Sequence, residues 1–383
     1  MAFRSTQLFL LAFLLAGVFT AALLLGDVPL TRLLADPGAA SVILYDIRLP
    51  RALLAVCVGG GLAIAGAAMQ SYLRNPLAEP SVLGISGGAS LAAVIAFYTG
   101  LAHAFPLALP LAGILGAGAV GLLLIAINLR FGSSLHLLLG GIAIAALTSA
   151  LAALALNLTP NPFARIEIVF WLMGSLTDRG MQHLFLMLPF LALGCFVLLR
   201  LRPALDALTL GEDVATTLGF SLRRLNLLLV LGVALTVGSG VAVAGSIGFI
   251  GLIVPHIVRM MTGRAVSPPR TAAFHVSSEA TRGVAAQREQ TNRSASLLPS
   301  HLLLPSFLGG AIALLLADLG VRAIPTSGEE LKLGVLTSLI GAPFFLWLLL
   351  KEQHARAVSP PRTAALHVSA ESAQREQRKD STA

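Results

Sequence analysis

L-G-E-D-V-A-T-T-L-G, residues 210–219, is a short polar stretch set between apolar runs long enough to cross a bilayer. Such neighbours on both sides force it into water. Its small residues, the paired carboxylates Glu212 and Asp213 and the closing Gly219 predict a short surface helix, capped and stopped, on one membrane face. A set of spans with one structured polar segment on a single face reads as a machine driven from that face. The plainer alternative is an ordinary solvated loop.

Working outward, the whole chain is apolar. Of its 383 residues 56% are hydrophobic and 11% charged, with mean hydropathy +0.86. Soluble domains carry about 25% charged residues, so the expected class is an all-α integral membrane protein. The formal charge of +8 is spread over loops, which argues against a nucleic-acid surface. Cys57 and Cys195 both lie inside apolar runs, where they read as packing residues and not as a disulfide or metal framework.

On a ruler of about 20 apolar residues per crossing, about ten spans are expected. They run near 7–25, 51–73, 82–99, 106–128, 135–157, 183–201, 225–246, 248–262, 302–323 and 331–350. The first is too long for a signal-peptide core and lacks a clean small-x-small site after it. The third and eighth are short, and the eighth follows the seventh with almost no loop. Glycines such as Gly59, Gly60, Gly61 and Gly66 predict close helix–helix packing in lipid.

With the N-terminus inside and the spans alternating, inside segments hold 19 of the 26 Lys and Arg residues. The positive-inside rule then places both termini and the 210–219 segment in the cytoplasm. Residues 264–277 and 356–369 are near copies, R-A-V-S-P-P-R-T-A-A-F/L-H-V-S, and A-Q-R-E-Q recurs at 286–290 and 373–377. Both copies are polar and Pro-rich, with little to bury. The expected organisation is therefore a permease domain over 1–263, a disordered cytoplasmic insert over 264–300, the last two spans over 301–351, and a disordered tail over 352–383. A-I-A-G-A at 63–67 also resembles A-V-A-G-S at 242–246 on a span of opposite direction, a pattern found in inverted-repeat transporters.

Few residues could carry chemistry. None of the three lysines, Lys332, Lys351 and Lys379, precedes Ser or Thr, so the chain has no Walker A loop. His136 and His256 lack partners at metal-ligand spacing and read as packing or interfacial histidines. Asp318 is the clearest intramembrane carboxylate, with Arg322 four residues on. D-I-R-L-P-R at 46–51 sets Arg48 and Arg51 at one edge, with Arg322 expected on the same surface. These arginines either snorkel to the interface or form a docking patch for carboxylates. R-N-P-L-A-E-P at 74–80 reads as a tight cytoplasmic turn, and Pro255 interrupts the Gly-rich short span at 248–259. A broken helix at membrane depth needs protein or a cavity around it, which points to a translocation pathway.

R-L-P-R (48–51), G-A-A-M-Q-S-Y-L-R-N-P-L-A-E-P (66–80), L-G-I-S-G-G-A (83–89), W-L-M-G-S-L (171–176), L-G-E-D-V-A-T-T-L-G (210–219), G-x-I-G-F-I-G-L-I-V-P-H-I-V-R (245–259), A-D-L-G-V-R (317–322) and G-A-P-F-F-L-W-L-L (341–349) occur in this order. Together they resemble the FecCD-type permease subunits of type II ABC importers, which take up iron–siderophore, haem and vitamin B12. The resemblance implies ten spans in a type II importer permease fold. It also implies a dimer, most simply a homodimer, served by two ATP-binding cassette subunits and a periplasmic or lipid-anchored binding protein in the cytoplasmic (inner) membrane. ATP and Mg would be used by the partner subunit, with no cofactor, catalytic residue or metal held by this chain.

By resemblance, Leu210, Gly211, Glu212, Asp213, Ala215, Leu218 and Gly219 form the ATPase-coupling segment. Arg48, Arg51 and Arg322 match positions that dock the binding protein. Gln70, Asn75, Pro76, Gly248, Gly251, Pro255 and His256 are the candidate pathway or gate residues. The departure is the polar stretch after Gly263, where the family has a short basic loop; it either loops away or weakens ATPase docking. The expected cargo is a ferric siderophore, with cobalamin and haem as alternatives. A secondary transporter using Asp318 and an inactive remnant are the readings from other classes.

Overall fold

Apolar runs of about 20 residues become helices because a spanning segment must satisfy every backbone N–H and C=O internally. The computed structural model describes residues 5–26, 37–131, 134–261, 301–324 and 330–357; the insert with the first repeat copy, and the tail beyond residue 357, lie outside them, while residues 352–357, expected in a disordered tail, continue the last helix. The helices are α1 (Ser5–Leu24), α2 (Leu49–Tyr72), α3 (Ile85–Tyr98), α4 (Ala108–Phe131), α5 (Ser134–Leu158) and α6 (Pro162–Leu172). They continue with α7 (Met181–Arg200), α8 (Arg202–Thr209), α9 (Glu212–Thr217), α10 (Leu222–Ala244), α11 (Ile250–Met261), α12 (Leu303–Ala323) and α13 (Leu333–Ala357). Among the described residues seven helices have the length and apolarity to span, and three shorter apolar ones, α3, α11 and the start of α13, complete the expected ten. Two units are distinguished, Met1–Leu339 and Ile340–Ala383. The features that follow belong to the first.

The inner helices are α2, extended at its start by Pro37–Val42 and one π-helical turn, Ile43–Arg48, and α10. Of the apolar window in each, 83% and 72% is buried, against 11% in α1 and 28% in α5. Glycine lets the neighbours reach α2. A Cβ on Gly59 would lie 2.3 Å from the Gly310 carbonyl oxygen, and one on Gly310 would lie 2.2 Å from that of Gly59. At Gly66 an added Cβ would meet the Gly251 carbonyl oxygen at 1.9 Å. These crossings seat α12 and α11 directly against the α2 backbone. Against α10, Gly61 and Val58 of α2 face Thr236 and Gly240 in turn, so the two helices carrying the A-x-A-G stretches run in opposite directions.

The tight turn expected over 74–80 takes a different form. After α2 the chain turns at Arg74 (φ +50°) and at Asn75, whose side chain accepts from the Leu77 amide at 2.9 Å. It then extends through Glu79, makes one 3₁₀ turn at Pro80–Leu83 and reverses at Gly84 (φ +72°). A Cβ on Gly84 would strike Ala145 N at 2.8 Å and Gly141 O at 3.0 Å. Gly141 and Ala145 lie about 10 and 16 Å into α5 at 1.5 Å per residue. The segment therefore climbs along α5, and α3 starts at depth with only 14 residues. Pro76 and Pro80 bar helix through it, which is why the third span is short.

Candidate functional site

Two groups of residues and one interior cavity make up the site. At one end of the bundle, the amphipathic α8 buries Ala204, Leu205, Ala207 and Leu208 and packs on α2 and α9. The chain then breaks at Gly211 (φ +119°), forms α9, and breaks again at Gly219 (φ +89°). Both values lie where a Cβ is strained, so the two glycines isolate one short helix between two longer ones. Glu212 and Asp213 occupy its first turn, favourable for carboxylates beside free N–H groups. Thr216 and Thr217 hydroxyls donate to the Asp213 carbonyl at 2.8 and 2.9 Å, and the Ser221 hydroxyl accepts from Arg224 N at the start of α10.

The seven residues expected here thus form one folded unit, in two roles. Ala215 is fully buried and seats α9, whereas Leu210 and Leu218 are 44% and 59% exposed. Val214, 40% exposed, shares an exposed face with Leu218 four residues on, whereas Leu210 lies before the break at Gly211. That spacing is visible in the sequence, although Val214 is not among the residues expected from it. Glu212 Oε1 lies 3.9 Å from Arg74 Nη2, which brings α9 to the base of the climbing segment.

The second group surrounds the start of α11. Pro255 has no N–H to give the Gly251 carbonyl one turn earlier. Gln70 of α2 supplies the missing donor: its Nε2 reaches Gly251 O at 3.3 Å and Leu252 O at 3.1 Å, while its Oε1 accepts from Arg259. Gln70→Ala is therefore expected to cost about 1–3 kcal/mol, the penalty of buried groups left unpaired. The check is a thermal midpoint lowered relative to wild type in detergent, with Gln70→Asn no better because its amide is one methylene short.

Gly248 and Gly251 line a cavity of about 110 Å³ together with Leu62, Glu79, Ser81, Ser86, Val241 and Ser246. Asn75 and Pro76 lie apart from it, at the base of the climbing segment near Arg74. His256, one turn along α11, does not line it. Glu79 is a site residue that the sequence reading misses, although the quoted motif contains it. Its Oε1 accepts from the Phe249 amide at 2.7 Å, just ahead of α11. Only the fold shows this, since 170 residues separate the two groups.

At the opposite end from α9, the expected edge of arginines is not an exposed edge. Arg48 is buried, and its Nη1 donates to the Leu23 and Leu24 carbonyls at 2.9 and 3.0 Å. Arg322 donates to Ala22 O at 3.2 Å and pairs with Asp318. Two guanidinium groups thereby cap the last turn of α1, where unsatisfied carbonyls favour cations. Arg51 is also buried: Nε meets Asp318 Oδ1 at 2.8 Å, and Nη1 and Nη2 grip both Glu330 oxygens at 3.1 and 2.7 Å. The Thr177 hydroxyl adds a bond to Glu330 at 3.0 Å. For Arg51 and Arg322 the reason is electrostatic: they balance Asp318 and Glu330, so those four groups together carry no net charge. The Asp318–Arg322 pair expected from spacing is present, and Glu330 and Thr177 are the partners spacing could not supply. Arg51 holds the Glu330 carboxyl below the usual range.

Among the described residues no group of three or more His, Cys, Asp or Glu could hold a metal ion. Pro255 does not break the short span, which is one continuous helix from Ile250 to Met261; the apolar helices, this proline-bearing helix beside a cavity and a glycine-bounded surface helix at one end describe a polytopic membrane protein. The sequence profile of the FecCD transport family matches residues 8–278 and 295–351, leaving out only a part of the polar stretch between. The vitamin B12 import system permease protein BtuC of Klebsiella pneumoniae is 36% identical over 311 residues, covering 81% of this chain and 83% of that protein. The ABC transporter permease protein YvrB of Bacillus subtilis is 37% identical over 322 residues, covering 81% and 79%. A solved structure described as an inward-facing metal-chelate type ABC transporter superposes with TM-score 0.73 at 32% identity, over 90% of this chain and 98% of that one. The chain belongs to the FecCD transport family, as an ABC importer permease.

Proposed function

We propose that this chain is the membrane-spanning subunit of an ATP-driven importer that passes an intact metal chelate by alternating access. The observation that carries the reading is the glycine-bounded helix α9, fixed on α8 and presenting Val214 and Leu218 outward. It is a rigid apolar face on a polar segment, suited to a cleft in an ATP-binding cassette subunit that uses ATP and Mg. Basic residues concentrate at this end, which supports a cytoplasmic α9. The binding protein would dock at the other end, above Arg48, Arg51 and Arg322. Docking carboxylates there would compete with Glu330, whose side chain is 30% exposed. A second copy of the chain completes the pathway.

For the cargo, similarity to permeases named for vitamin B12 import favours cobalamin. A ferric siderophore, expected from the family at large, stays as the second reading and draws support from the metal-chelate type relative. A secondary transporter using Asp318 finds less support, because that carboxylate is held between Arg51 and Arg322. The test is uptake into proteoliposomes holding the permease, its ATPase and its binding protein, supplied with labelled cobalamin, ferric siderophore or haem. ATP-dependent accumulation of cobalamin alone is the expected result. Accumulation of a ferric siderophore instead overturns the cargo, and uptake without the ATPase overturns the mechanism.

A further inference from the structure

Among the described residues Glu79 is the carboxylate bordering the interior cavity, and the pathway residues discussed so far give it no task. Its surroundings are built. Oε1 accepts from Phe249 N at 2.7 Å. Phe249 sits at φ +67°, a left-handed conformation that a bulky residue rarely holds without outside restraint. The turn it belongs to is anchored on its far side, where Ser175 N donates to Ala244 O at 2.7 Å. Gly245 (φ +73°) leaves no room for a side chain, since a Cβ there would fall 2.2 Å from Trp171 O.

The other end of the same short segment meets α9, with Arg74 Nη2 3.9 Å from Glu212 Oε1. Between them the chain is a run of turns and not slack loop. Asn75 N bonds Gln70 O at 3.1 Å, Ala78 N bonds Asn75 O at 3.1 Å, and Val82 N bonds Glu79 O at 3.2 Å. Asn75 to Ala78 and Glu79 to Val82 are thus two hydrogen-bonded turns joined directly at Glu79, a short path from Arg74 to the carboxylate.

We propose that Glu79 is a positioning residue that latches the Gly245–Phe249 turn to the segment touched by α9, so that movement of α9 is passed to the turn bordering the cavity. This rests on the proposed importer function. The latch itself is a hydrogen-bonded contact that exists in the permease alone, which allows the two to be tested apart.

The first measurement is amide hydrogen exchange across residues 245–252 of the purified permease. Glu79→Ala is expected to speed exchange at Phe249 at least tenfold, and Glu79→Gln, which keeps an acceptor oxygen, to stay within threefold of wild type. Unchanged exchange in Glu79→Ala overturns the latch. The second uses the transporter assembled with its ATPase and binding protein. Glu79→Ala is expected to cut cargo moved per ATP hydrolysed at least tenfold at unchanged half-saturation by the binding protein, with Glu79→Gln restoring it to within threefold. Were Glu79 only a helix cap, the alanine variant would give less assembled transporter and a lower melting temperature at unchanged cargo per ATP, and that result overturns the proposal. Absence of ATP-dependent uptake in wild type sinks the importer reading instead, while the exchange measurement still decides whether the latch exists.

Discussion

Asp318→Ala is expected to cost about 3–5 kcal/mol, the range for breaking a buried ion pair by removing one partner. Asp318 is 1% exposed and receives Arg51 on one oxygen and Arg322 on the other. Its loss leaves two guanidinium groups close together with Glu330 as the remaining partner. The consequences run beyond the pair. Arg322 also caps the end of α1 through Ala22 O, so its displacement loosens α1 from α12. The measurement is chemical or thermal unfolding in detergent, or folded yield where the variant no longer assembles. Asp318→Asn, which keeps the shape but not the charge, should fall between wild type and alanine. If Asp318→Ala unfolds within about 1 kcal/mol of wild type, in the range of exposed pairs, the cluster is not a buried charge network.

Glu330 provides the contrast within that cluster. Its side chain is 30% exposed, so solvent screens it and Glu330→Gln is expected to cost less than Asp318→Ala. The pH dependence has a definite sign. Arg51 holds the Glu330 carboxyl below its ordinary value of 4.5, so the folded state binds the proton less readily than the unfolded chain. The stability it contributes is complete above that ordinary value and is lost as pH falls through the lower folded value.

The same cluster shows how far the sequence can be read. Hydrophobic run length alone locates the ten helices, including the short third and eighth, because a bilayer imposes one length scale on every segment. Gly211 and Gly219, the acidic first turn between them and the flanking spans make α9 legible. The arginines are legible as a group but not in their state. Spacing places Arg48 and Arg51 at a helix start, whereas the helix runs on continuously from Pro37, and whether they face water depends on Glu330 and the end of α1, which are distant in sequence. The climbing segment misleads for a related reason. Two prolines do end helices, but a turn and a re-entrant stretch look alike until Gly141 of α5 is seen to leave space for Val82 and Leu83. Glu79 is legible only from that re-entry. The helix α6 is capped by the Asn161 side chain, which accepts from Phe163 N at 2.9 Å. Its 11 residues are too few to register as a span, so run length passes over it.

Replacing both Val214 and Leu218 with aspartate should abolish ATP-driven uptake while sparing the fold. The two side chains are 40% and 59% exposed, so neither contributes much to the permease interior, and a charge on either meets water in the isolated subunit. Seated in a partner's cleft they would be covered. Truncating an interface hot spot costs about 2 kcal/mol or more, and burying an unpaired carboxylate in place of an apolar side chain adds a desolvation penalty. At about 1.4 kcal/mol per factor of ten, the pair should weaken ATPase binding at least about 100-fold. The measurements are co-purification of the ATPase subunit and uptake into proteoliposomes, both lost, beside an unchanged melting temperature of the permease. Ala215→Leu separates docking from folding. Ala215 is fully buried beneath the same helix, so the larger side chain must lift α9 off its seat, and the melting temperature should fall along with uptake. If the double aspartate variant still binds its ATPase normally, the face formed by Val214 and Leu218 is not the docking element, and the importer would have to be driven from elsewhere on the chain.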